Sequence, residues 1–316
     1  MNLPTLCQSA SFLGLLCTSL LAALPGIAQD YPAAILQDGP LAYYRLNDSL
    51  VRSNLQFNAG SLGAPGNATN INARPFPGAL AGEANGSQFY DSTAWAQIPW
   101  NAALNPANTE PFTMEAWLYP ASDQINGGQA AIMNRYSYSG VDRQGWVIFQ
   151  RAPNDSYTGA PGFEGIGWNF RMYRGEGGSS GLDVTSGVPF DVGTWTHLVV
   201  VYDPVQVTNA SITLYINGVA AATNVWEGET PGYVANTDDH PESEAPNGPA
   251  ALTLGAYNNT SPGSNPYFGA VDEFAFYPAM LSPERILAHY QNGTNAARST
   301  PYPAVVQADA PVVYLR

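Results

Sequence analysis

The sequence predicts an all-β protein, a two-sheet antiparallel sandwich carrying one short helix near its C-terminus. Composition is the first reason: 31 Gly and 26 Pro with only 11% charged and 12% aromatic residues describe a turn-rich chain, poor in the Glu and Lys that long surface helices use. The second is pattern, since apolar runs of about five to nine residues recur from Tyr31 onward between Gly, Pro, Asn and Ser clusters. The third is alternation within those runs.

"FTMEAWLYP" shows the alternation best. Phe112, Met114, Ala116 and Leu118 fall on one face and Thr113, Glu115, Trp117 and Tyr119 on the other, so one face is a core face. "GWVIFQR", "IGWNFRMYR" and "WTHLVVVYD" follow as strands. In "ITLYINGVAAA", Asn217 and Gly218 both tolerate positive φ, which predicts a tight hairpin. "ALTLGAY" and "YFGAVDEFAFYP" complete the strands. "LSPERILAHYQNG" predicts the helix: Ser282 caps it, Pro283 suits the first position, Glu284 suits the positive end, and Gly293 stops it in the left-handed region. Ile286, Leu287 and Tyr290 give it an apolar stripe. Two long polar stretches, residues 54–87 and 226–249, read as loops.

Residues 1–28 predict a secretory signal. Phe12–Leu24 is an apolar stretch too short for a membrane span, and Gly26 and Ala28 occupy small-residue cleavage positions, although no Lys or Arg precedes Phe12. A buried helix and a lipid anchor at Cys17, preceded by the bulky Leu16, are the alternatives. Cys7 and Cys17 both lie in this segment, so a chain cleaved near Gln29 holds no disulfide, thiolate nucleophile or cysteine zinc site.

All 11 basic residues are Arg against 25 acidic ones, a formal charge of −14. That balance repels nucleic acid and anionic membrane and leaves carboxylates for a hard cation such as Ca²⁺.

The set "LAYYRLND", "FTMEAWLYP", "WTHLVVVYD" with "ITLYINGV", "LTLGAY" and "YFGAVDEFAFYPAMLSPERILAHYQNG", in that order, resembles the laminin-G-like jelly roll of the concanavalin A-like lectin/glucanase superfamily in its bacterial extracellular form. The resemblance spans roughly residues 29–295. It implies a jelly roll, secretion or surface display, and a carbohydrate- or protein-binding module of a larger protein. It also implies a structural calcium ion held by Asp272 with Asn47, Asp48 or Asn58 from the loop after the opening strand.

Some relatives of this fold are glycosidases with a Glu-x-Asp-x-x-Glu strand, which places two carboxylates on one face. No such strand occurs here; "DDHPESE" carries Pro241 in a polar loop, and Glu115 is a lone strand carboxylate. His197, His240 and His289 show no zinc or triad spacing. Sugars are held by aromatic faces with a few amide or carboxylate hydrogen bonds, which singles out Trp226, Tyr233 and Tyr257 with Asp238, Asp239 and Asn258 in and beside the acidic loop. The sequence therefore points to a non-catalytic glycan-binding module. A structural or adhesive repeat that binds protein or neighbouring domains of its own polypeptide is the first alternative, and a glycoside hydrolase or lyase with an atypical site the second.

One feature stands outside the family pattern. Tyr302–Arg316, "YPAVVQADAPVVYLR", aligns without gaps on Tyr31–Arg45, "YPAAILQDGPLAYYR", sharing Tyr, Pro, Ala, Asp, Pro, Tyr and Arg. Residues 296–316 accordingly read as a linker and the start of a truncated second repeat, which would be poorly packed; chance likeness and a C-terminal strand completing the same sandwich are the alternatives.

Overall fold

The structure is a computed structural model that describes residues 54–83, 86–122, 128–138, 142–151, 167–175, 181–204, 209–226, 232–237, 250–257, 263 and 265–316. The chain divides into two units, Met1–Leu46 and Asn47–Arg316, and the described residues all belong to the second. They form sixteen strands: β1 (Leu55–Gln56), β2 (Ala68–Ile71), β3 (Arg74–Pro77), β4 (Gly86–Tyr90), β5 (Trp95–Ile98), β6 (Phe112–Pro120), β7 (Gly128–Tyr138), β8 (Asp142–Arg151), β9 (Gly167–Tyr173), β10 (Gly181–Thr185), β11 (Thr196–Asp203), β12 (Ser211–Ile216), β13 (Val219–Val225), β14 (Leu252–Leu254), β15 (Gly269–Tyr277) and β16 (Val313–Leu315). Two α-helices join them, α1 (Pro283–Thr294) and α2 (Tyr302–Gln307). One sheet runs β1-β2-β5-β14-β7-β8-β9-β10 and the other β13-β12-β11-β6-β15-β4-β3, with β16 also paired to β15. The predicted all-β sandwich is what the chain builds, and β1 to β3 lie inside a stretch that reads as polar loop.

The main core lies between the sheets. Phe112, Met114, Ala116 and Leu118 of β6 enter it beside Trp146, Ile148, Trp168 and Phe170 of the facing sheet. The other face of β6 is buried as well, because α1 and α2 cover it: Trp117, Val199, Tyr215 and Tyr277 pack under Ile286, Tyr302 and Val306. A second apolar layer on the outside of one sheet explains why β6, β11 and β15 are buried along almost their whole length.

The hairpin forms as predicted, with Asn217 at φ 52° and Gly218 at φ 81° between β12 and β13. Ser282 caps α1, its hydroxyl accepting from the Arg285 N–H at 3.4 Å. Two helix expectations are corrected. The buried positions are Ile286, His289 and Gly293, while Leu287 stays exposed, because the face that meets the sheet takes up a polar ring. Gly293 lies inside the helix, not at a left-handed stop, and a Cβ there would sit 2.5 Å from Cζ2 of Trp117. Close approach, not termination, requires this glycine. Gly293→Ala is expected to destabilise by about 1–3 kcal/mol by overpacking, where helix propensity alone would stabilise by about 1 kcal/mol. The sign of the shift in urea midpoint decides between the two.

Tyr302–Arg316 is also corrected. Instead of a poorly packed strand, β16 pairs antiparallel with β15 in the register Phe274↔Leu315, Ala275↔Tyr314 and Phe276↔Val313, and all three of its residues are buried. A bulge at Asp272–Ala275, with Glu273 at φ 53°, divides β15 so that β4 pairs Gly269–Val271 and β16 the segment beyond.

Candidate functional site

Four partly exposed aromatic rings meet on the helix-bearing sheet. Tyr119 on β6 and Phe89 on β4 flank the small Ala270 of β15, which is in register with both. Phe76 on β3 reaches over them, its centroid 4.9 Å from Tyr119 and 5.4 Å from Phe89. Trp195, just before β11, closes the group at 5.4 Å from Tyr119 and 6.4 Å from Phe76. Strand alternation puts these rings on one face; a glycine or alanine between them leaves the rings room to tilt.

Charge borders the rings. The Arg74 guanidinium lies 4.6 Å from the Phe89 centroid and donates to Asp91 Oδ2 at 3.4 Å, with 61% of its side chain exposed. Asp91 Oδ1 accepts from both the backbone N–H and the hydroxyl of Thr93 at 2.8 Å. Burial pulls the Asp91 carboxyl up, but those bonds and Arg74 outweigh it and hold it below its usual range, ionised. β3 is an edge strand carrying Pro75 and Pro77, which deny a ladder to further strands and keep this rim open to a side-chain-recognised ligand. An aromatic floor bordered by an exposed guanidinium and an ionised carboxylate suits a ligand with apolar C–H faces and hydroxyls. The sequence shows each ring singly, on four separate elements, and Phe76 lies in a stretch that reads as loop.

Beneath the helices the same sheet holds a sealed polar cluster. Glu115 Oε1 lies 2.9 Å from His197 Nε2 and accepts from the Tyr302 hydroxyl at 2.6 Å; Oε2 lies 2.8 Å from His289 Nδ1 and accepts from the Tyr277 hydroxyl at 3.0 Å. His289 Nε2 contacts Asp309 Oδ2 at 2.7 Å, which Arg285 also donates to, and Trp117 Nε1 donates to Tyr302 Oη at 3.0 Å. Burial pushes the Glu115 carboxyl up, yet the His289 charge and the two histidine bonds more than reverse this and hold it well below the carboxylate range. Burial pushes His289 down, and Glu115 and Asp309 together raise it above its ordinary value. With Glu115, His197 and His289 side chains all 0% exposed, the cluster fastens α1 and α2 to the sheet rather than meeting a substrate.

Comparison with known proteins places this architecture. The family described as the concanavalin A-like lectin/glucanases superfamily matches residues 91–287. The chain belongs to that superfamily. No curated protein matches it. Domain 4 of AbnA, a GH43 extracellular arabinanase from Geobacillus stearothermophilus solved with arabinotriose, is similar at TM-score 0.45 and 15% identity, over 74% of this chain and 97% of that one. The binding domain of Paraclostridial Mosquitocidal Protein 1 is similar at TM-score 0.48 and 14% identity, over 75% of this chain and 52% of that one. At such identities the likeness concerns the fold.

In this lectin/glucanase-type sandwich the residues singled out from sequence do not converge. Tyr233 is 3% exposed in the inter-sheet core, 6.3 Å from Tyr202, and is corrected from ligand platform to core ring. Trp226 is partly buried against that same core. Tyr257 packs on the opposite outer face, 5.8 Å from Phe149. Asp238, Asp239 and Asn258 lie outside the described residues, as do Asn47 and Asp48.

Of the described residues in the calcium set, Asn58 has its side-chain amide engaged within the protein. Asn58 Oδ1 accepts the N–H groups of Gly60 and Tyr314 at 2.8 Å, which uses both its lone pairs, and its Nδ2 donates to Gly63 O at 3.0 Å. Asp272 Oδ2 accepts the Ala79 N–H at 2.8 Å. Among the described residues no three His, Cys, Asp or Glu side chains are grouped to hold a metal ion. In this structure Asn58 pins the first loop to β16.

Proposed function

We propose that this protein is an extracellular, non-catalytic module that binds glycans on the Phe76, Phe89, Tyr119 and Trp195 platform, with Arg74 and Asp91 bonding the sugar hydroxyls. The observation that carries this is the half-open four-ring cluster: a sandwich gains nothing in core packing from leaving four aromatics partly in water, and flat rings bordered by charge match a pyranose or furanose face. The atypical-hydrolase alternative has no support in Glu115, which is sealed from solvent with its oxygens engaged.

A glycan array probed with the intact protein tests the reading. Binding is expected, and Trp195→Ala is expected to weaken it about tenfold, the equivalent of about 1.4 kcal/mol for one aromatic contact, in a protein that still unfolds cooperatively. An empty array sinks the glycan reading in favour of a protein-binding adhesive repeat. Binding that survives Trp195→Ala but fails in Trp226→Ala or Tyr257→Ala would move the site to the residues named from sequence.

A further inference from the structure

The groove that holds Tyr302–Arg316 recognises that segment through both backbone and side chains. Backbone bonds run from Val312 N to Phe276 O at 2.7 Å, from Ala59 N to Tyr314 O at 2.8 Å, and from Ser61 N and Leu62 N to Pro311 O and Val312 O at 2.9 Å. A strand clasped on two sides by main chain accepts any sequence of the right shape. A Cβ at Gly60 would lie 2.6 Å from Pro311 O, so that glycine is what lets the clasp close.

Side chains supply the specificity. Tyr302 bonds Glu115, Asp309 bonds His289 and Arg285, Tyr314 fills the layer beneath the helices, and Arg316 donates to Glu273 and Glu83 at 3.0 Å each. At the offset of the internal copy these four residues are Tyr31, Asp38, Tyr43 and Arg45, identical every time. Pro311, which receives the Ser61 bond, is Pro40. The buried Val312 and Val313 become Leu41 and Ala42, still apolar, while Leu315, buried in the inter-sheet core, becomes the larger Tyr44, which that core must accommodate. The difference at one further position favours the copy: Ala310 sits at φ 51°, a left-handed conformation that a Cβ strains, and the copy has Gly39 there. Every identity that the duplication keeps among its polar residues is thus an anchor of the groove, although loops under no such demand would have been free to drift.

We propose that this groove is a strand-acceptor site for the motif, and that it takes the Tyr31–Arg45 segment of a second copy of this chain in exchange for its own Tyr302–Arg316, linking copies end to end. Each chain offers one such acceptor among its described residues and two sequences that fit it, so a population of chains holds donors in excess.

The test uses the full chain and a fluorescein-labelled peptide of residues 30–46, read by anisotropy. Arg316→Ala loosens the resident strand without touching the groove, and this variant is expected to bind the peptide at least tenfold more tightly than wild type does. Peptides carrying Asp38→Ala or Arg45→Ala are expected to bind it at least tenfold more weakly. Should Arg316→Ala fail to fold, the wild-type protein is assayed by size exclusion, where the expected concentration-dependent dimer dissolves on adding unlabelled peptide. A folded Arg316→Ala chain that ignores the peptide, binding indifferent to Asp38 and Arg45, or a wild-type monomer at all concentrations alongside an unfolded variant overturns the proposal.

Discussion

Glu115→Ala is expected to lower stability by about 3–5 kcal/mol, the cost of leaving a buried charge without its counter-ion. For a domain of this size each kcal/mol moves the melting temperature by about 2–4 °C, so a fall on the order of 10 °C is expected in calorimetry. The reason is the number of groups that converge on one carboxylate: two histidines and two tyrosine hydroxyls, all within hydrogen-bond reach and out of water. The dependence on pH gives the charge state. His289 is raised above 6.5, so its contribution is fully present below that value and is lost as pH rises through its folded pKa. Glu115 is held well below 4.5, so its contribution is present above that value and is lost as pH falls through its folded pKa. The gap between wild type and His289→Asn is therefore expected to be widest on the acid side of neutrality and to close in alkali. A gap that stays constant with pH would mean that His289 is neutral and holds α1 by packing alone.

How far the sequence discloses this molecule depends on how many elements a feature needs. The inner face of β6 was legible because Phe112, Met114, Ala116 and Leu118 repeat at strand period within nine residues. The β12–β13 turn was legible from two adjacent residues. The helix was legible from its cap and its proline, but its buried face was not, since burial of His289 depends on Glu115, 174 positions away. Glu115, His197 and His289 each look like isolated polar residues; only the fold of β6, β11 and α1 against one another makes them one cluster. The aromatic platform has the same character, four rings on four elements, with Phe76 hidden among Gly, Asn and Pro, where a four-residue edge strand leaves no periodic trace. The likeness of Tyr302–Arg316 to Tyr31–Arg45 is the reverse case. Its existence is plain in the sequence, whereas its use as a strand of this sandwich depends on a bulge in β15 that opens an acceptor edge.

A chain of residues 46–295, holding neither copy of that motif, is expected to lose cooperative unfolding and to bind hydrophobic dyes. Without Asp309 the buried His289 loses one of its two carboxylates, and without Tyr302 the Glu115 carboxylate loses its shortest bond. Glu273, whose side chain is wholly buried, loses Arg316; burial, then the Asp272 charge, already raises its carboxyl well above the usual range, and removing Arg316 raises it further. The edge of β15 that β16 pairs, Phe274–Phe276, then loses that strand while β6 still pairs the other side. Breaking one buried ion pair costs about 3–5 kcal/mol, and two such losses with an opened edge approach the 5–15 kcal/mol that holds a typical domain together. Peptide 302–316 added in trans is expected to restore the cooperative transition, because the acceptor needs the strand and not its covalent link. Peptide 31–45 is expected to do the same. Rescue by the first alone would confine the groove to its own C-terminal segment, and a 46–295 chain that melts like the intact protein would show that the sandwich is complete at Asn295 after all.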